Sequence, residues 1–130
     1  MKTFSTGNPS AHSIPFHPSL LAEDESQVGV VAAKRHFTKA YEYQTKGNLV
    51  EAVHNYRNAI VSCPTMFEAY FNIGLCFEQR RDSLSAIQAF EQAARLMQGF
   101  KPIYQHLAYL YGLIGDFETA RFYEATYRKL

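Results

Sequence analysis

Glu68-Ala-Tyr-Phe-Asn-Ile-Gly-Leu-Cys-Phe77 is too apolar for an ordinary surface helix, and it holds one glycine among its aromatics. The same spacing of residue types returns 34 residues earlier and 34 residues later. With rows begun at Ala33, Phe67 and Lys101, the eighth residues are Ala40, Gly74 and Ala108, and the eleventh are Tyr43, Phe77 and Tyr111. The twentieth are Ala52, Ala86 and Ala120; the twenty-fourth are Tyr56, Phe90 and Glu124; the twenty-seventh are Ala59, Ala93 and Tyr127. Small residues recur where two helices must approach closely, and aromatics recur beside them to fill the gap. Each row breaks near its middle, at Gly47-Asn48, Arg81-Asp82 and Gly115-Asp116. Glycine there takes the left-handed conformation that ends a helix, and Asn or Asp caps the next. Arg81 stands where the other rows have glycine. Thr65 to Glu68 and Asn48 to Glu51 have capping-box spacing. Pro64 closes the first unit, and Pro102 suits a first helical turn. The pattern predicts helices over 27–46, 49–62, 66–80, 83–97, 101–114 and 117–129.

A 34-residue period with these residue types closely resembles the tetratricopeptide repeat. The resemblance covers residues 33–130 and implies an all-α fold, a right-handed α-α superhelix of three stacked helical hairpins over 33–66, 67–100 and 101–130. About three hairpins are the least that bury a continuous core. Before them come an arm, residues 1–20, and a helical lead-in, residues 21–32. The arm is rich in proline and hydroxyl residues and buries too little to fold alone. Its Ser13-Ile-Pro-Phe-His-Pro18 reads as an extended segment with two apolar anchors, Ile14 and Phe16, suited to a groove of its own chain or of a neighbour. In the lead-in, Glu23, Asp24 and Glu25 suit a helix start, with Ser26 as its cap.

The twenty-first, twenty-fourth and twenty-eighth residues face the next element: Val53, Tyr56 and Ile60, then Ile87, Phe90 and Ala94. In the last row they become Arg121, Glu124 and Arg128, the polar outer face of a terminal repeat, so the stack is expected to end here by design. Phe122, Tyr123 and Tyr127 either pack in the core or form a dimer contact.

The net charge of +1 lacks the basic excess of a nucleic-acid binder. No apolar run approaches the ~18 residues of a membrane span, and the N-terminus lacks a signal peptide's apolar middle. A cytoplasmic location is the expectation, with Cys63 and Cys76 as reduced packing thiols. His12, His17, His36, His54 and His106 have no metal-ligand spacing, and no nucleophile motif or phosphate loop occurs. The sequence thus predicts no enzyme, no metal and no cofactor.

What the repeats leave over is the opposite side of each first helix, which in the resembled family faces the concave surface. It reads Phe37, Tyr41, Phe71, Leu75 and Tyr109, framed by Lys34, Gln44, Asn72, Glu78, Gln79, Gln105 and His106. Apolar anchors with amide neighbours suit an extended peptide or a helix. The peptide-binding set is therefore Lys34, Phe37, Tyr41, Gln44, Phe71, Asn72, Leu75, Glu78, Gln105 and Tyr109. The family's clamp for the C-terminal carboxylate of heat-shock chaperones would fall on Phe37, Tyr41, Asn72, Pro102 and His106. Only Asn72 matches, so the charges for that ligand are missing. The expected function is an adaptor or chaperone that binds a segment of a partner protein in an apolar groove. The alternatives are an assembly subunit that forms homo-oligomers through its arm or exposed aromatics, and a small chaperone similar to those of type III secretion.

Overall fold

The computed structural model describes residues 13–14 and 27–130. Six helices follow in order: α1 (Gln27–Thr45), α2 (Leu49–Ser62), α3 (Phe67–Gln79), α4 (Ser83–Leu96), α5 (Lys101–Leu113) and α6 (Phe117–Lys129). Their ends lie within about a residue of those the sequence predicts. No strand occurs among the described residues. Each helix packs on its neighbours in sequence, α1 on α2 through α5 on α6. The architecture is the expected right-handed superhelix of stacked hairpins. Ser26 and the acids before it, like Phe16 and all of the arm but Ser13 and Ile14, lie outside the described residues.

The three hairpin turns use one device. At the first, the Asn48 amide donates to the Tyr43 carbonyl at 2.9 Å and the Gly47 amide to that of Gln44 at 3.0 Å. Asp82 and Arg81 do the same to Phe77 and Glu78, and Asp116 and Gly115 to Tyr111 and Gly112. This is the Schellman arrangement, which satisfies the last carbonyls of a helix and requires one left-handed residue. Gly47 (φ 81°) and Gly115 (φ 86°) fill that role, and in the middle turn Arg81 does (φ 61°). A side chain there costs about 1 kcal/mol.

Capping follows the sequence only in part. The carboxylates of Asp82 and Asp116 accept from the amides of Ser85 and Thr119. Hydrogen bonding holds the Asp82 carboxyl below its usual range, chiefly through Ser85. Asn48 makes no side-chain cap bond, and the residue directly before α3 is Met66. Glu68, which has capping-box spacing from Thr65, is fully buried. The apolar weight of α3 draws its first turn into the core.

α3 is the centre of the stack, with ten of its 13 residues buried. One side, with Ala69, Ile73 and Cys76, joins a core cluster shared with α1 and α2 around Tyr56. The other, with Phe71 and Leu75, joins a second cluster around Phe90, Leu107 and Leu110. Burial pushes the Cys76 thiol up to about 12, and both cysteines are buried without a disulfide. α6 buries no residue fully and is fastened by polar aromatics instead. Glu91 accepts from the hydroxyls of Tyr111 (2.8 Å) and Tyr123 (3.2 Å), whose rings stack 5.7 Å apart. Arg128 pairs with Glu124, as their i,i+4 spacing anticipates. Tyr123 and Tyr127 pack against the second cluster, whereas Phe122 is 64% exposed.

Gly74 is the tightest point of the second hairpin. A Cβ there would lie 2.7–2.8 Å from three atoms of the Phe90 ring. That ring has no room to yield, because His106 stacks on it at 4.9 Å and Phe71 meets it edge-on at 5.4 Å. Gly74→Ala therefore loses about 1–2 kcal/mol net, since overpacking outweighs the gain in helix propensity. Urea unfolding checks this, and an equal or higher midpoint would show that the contact is slack.

Candidate functional site

The site begins at a buried tyrosine. Tyr56 fills the twenty-fourth place of its row, where Phe90 stands in the next, and it is fully buried with Phe37 edge-on at 5.2 Å. A buried phenol hydroxyl needs a partner. It donates to Gln44 Oε1 and accepts from Asn72 Nδ2 at 3.1 Å. Burial first, and then the nearby Cys76 thiol, push its pKa far above that of an ordinary phenol, so it stays a neutral donor. Because Tyr56 gives its one proton to Gln44, Asn72 must present its amide nitrogen to the hydroxyl. That fixes which way the carboxamide faces.

Asn72 is 0% exposed, and its remaining groups meet the arm. The Ile14 amide donates to Asn72 Oδ1 at 2.9 Å, and Asn72 Nδ2 donates to the Ile14 carbonyl at 3.0 Å. One side chain thus takes both backbone groups of one residue, as a neighbouring strand would. The Ile14 side chain packs against the second core cluster, to which Phe71 and Leu75 belong.

The ten residues singled out from the sequence are distributed over α1, α3 and α5. Asn72 contacts Ile14 directly, and Gln44 is joined to Asn72 through Tyr56. Phe71 and Leu75 are core residues of the cluster that Ile14 touches. Phe37 is core as well, at 2% exposure, while Tyr41 is half-buried against the first cluster. Glu78 is buried and hydrogen-bonded to His106 Nδ1 at 2.7 Å, which ties α3 to α5. Lys34 is exposed, and Gln105 and Tyr109 are partly exposed. Tyr56 escaped the sequence reading as a polar group because its row position marked it for packing. Its hydroxyl, absent from Phe90, was the available signal.

A further open pocket lies elsewhere. It holds about 640 Å³ between α2, α3 and α4, with Arg57, Tyr70, Ile73 and Phe77 in its wall. Tyr70, Ile73 and Phe77 are residues the repeat pattern assigns to packing. Arg57 and Arg80 sit over the Phe77 ring at 5.9 and 5.8 Å. Among the described residues no group of three or more His, Cys, Asp or Glu is placed to hold a metal ion. Nor is any described helix long and apolar enough to cross a membrane.

Three comparisons bear on this arrangement. A family model described as tetratricopeptide repeat matches residues 67–96, which span α3 and α4. The fold is similar to a crystal structure of MamA, with a TM-score of 0.74 and 20% identity over 77% of this chain and 58% of that one. It is also similar to an arginine-to-glutamate mutant of MamA, with a TM-score of 0.68 and 18% identity over 75% of this chain and 71% of that one. The chain spans little more than half of the first MamA chain, and at such identities the likeness concerns the fold. No curated protein matches the sequence.

Tyr56→Phe removes one hydroxyl and leaves Gln44 and Asn72 each short of a buried partner. The expected loss is about 1–3 kcal/mol, read from urea unfolding. A variant as stable as the parent would mean that the hydroxyl does not organise the two amides.

Proposed function

We propose that this chain, which has the fold of stacked helical hairpins and is matched by the tetratricopeptide repeat model over residues 67–96, is an adaptor or chaperone that holds an extended segment of a partner protein. The segment lies across α1, α3 and α5, along Asn72. The observation that carries this reading is the pair of hydrogen bonds between Asn72 and the two backbone groups of Ile14. A carboxamide held in one orientation inside an apolar wall binds an extended backbone with little regard to sequence. Side-chain preference then comes from the apolar surface beside it. Gln105 and Tyr109 on α5 and Tyr41 and Lys34 on α1 extend the surface on either side.

A second reading is favoured by α6. Phe117 and Phe122 are 63% and 64% exposed on one helix, as a self-association surface would be. Light scattering of the full chain and of Phe122→Asp separates the two, since an assembly subunit loses mass on that change and an adaptor does not.

The adaptor reading is tested by pull-down from the native host with the full chain, Asn72→Ala and Tyr109→Ala. Phe37 is unsuitable, because truncating so buried a ring costs about 3–5 kcal/mol. The expected outcome is a defined partner lost with Asn72→Ala and reduced with Tyr109→Ala, while both variants keep a cooperative thermal transition. A partner captured equally by all three chains would place the binding surface elsewhere.

A further inference from the structure

Asn72 lies 58 residues from Ile14, yet each uses the other to satisfy polar groups that burial would leave short. Both hydrogens of the Asn72 amide are committed, one to the Ile14 carbonyl and one to Tyr56, and its oxygen takes the Ile14 amide. We propose that the Ser13–Ile14 segment is the resident ligand of the Asn72 site. It occupies in cis the place of a partner's segment, and its chemistry defines the class that can displace it. This rests on the groove reading above and adds to it a ligand class and a competitor.

The sequence explains why residue 14 suits the role. Pro15 follows it, and a residue before proline is pushed toward extended backbone. An extended residue turns its N–H and C=O to one side, where a single carboxamide reaches both. Ile14 adds a branched aliphatic side chain that packs on the cluster holding Phe71 and Leu75. The competing class is therefore an extended segment that offers a branched aliphatic residue with an intact N–H, directly before proline. A charged or C-terminal ligand does not fit, since the groups around Asn72 are an amide, a neutral phenol and apolar side chains.

Tethering makes the competition quantitative. Ile14 is 13 residues from Gln27, where α1 begins. A tether that short presents its end at an effective concentration on the order of 1 mM. A free segment of the same sequence must outcompete that, so its apparent affinity for the intact chain is held near the millimolar range whatever its intrinsic value. Releasing the arm restores the intrinsic affinity.

The test uses the full-length chain and a fluorescent peptide spanning Ala11–Pro18, with binding read by polarisation. Ile14→Asp places a charge in the apolar contact, and Ile14→Pro removes the donating amide while staying apolar. Both are expected to bind the peptide at least about tenfold tighter than the parent. Adding Asn72→Ala to either should abolish the gain, with circular dichroism showing the helices intact. Equal affinity for parent and Ile14 variants, still dependent on Asn72, would overturn the resident-ligand proposal and leave the groove reading standing. No binding to any variant would overturn both. A parent that is dimeric by light scattering and made monomeric by Ile14→Asp would overturn the cis assignment in favour of an arm shared between two copies.

Discussion

The fold depends on how closely α3 and α4 approach, and that distance is set by the Phe90 ring lying against the bare Cα of Gly74. The ring fills the place a methyl group would occupy, with three of its atoms within 2.8 Å of where that Cβ would be. Phe90 is fully buried, which alone is worth roughly 1.5–3 kcal/mol. It also carries His106 on its face and Phe71 on its edge, so the contact that closes the second hairpin sets the third against it. Helices packed this way meet mainly their neighbours in sequence, and stability accumulates along the stack rather than from one central core. α3 has a neighbour on both sides and must be apolar on both.

The same crowding creates the polar site. With α3 sealed on two faces, a polar residue on it must find partners inside the protein, since an unmade hydrogen bond there is costly. Asn72 finds Tyr56 on one side and the backbone of Ile14 on the other. Glu78, almost two turns further on, finds His106. Glu78 and His106 hold two hairpins together, while Asn72 reaches out to an extended segment. The difference follows from what lies opposite: a helix side chain for Glu78, bare main chain for Asn72.

The helices and the hairpin order were legible because the 34-residue register repeats small and aromatic residues at fixed places, and those places are dictated by backbone approach. Even the strained Arg81 was visible, since a turn that needs a left-handed residue needs it whatever stands there. The site was legible only as a set of helix faces. Periodicity puts Phe37, Phe71 and Leu75 on the side away from the repeat's packing positions, yet it does not tell how far a neighbouring helix covers that side, and all three are buried. Glu78 read as a groove residue because its partner His106 lies 28 positions away on another hairpin. The Ser13–Ile14 segment was recognisable as something that could dock, and Asn72 as something that could hold a backbone. Only three-dimensional placement joins the two.

Asn72 holds the backbone of Ile14 in the intact chain, and hydrogen exchange at the Ile14 amide measures that hold directly. By NMR at neutral pH, the Ile14 amide is expected to exchange markedly more slowly than an unstructured one, and to lose this protection in Asn72→Ala while the amides of α3 and α4 keep theirs. An Ile14 amide that exchanges at the unprotected rate in the parent chain would contradict it.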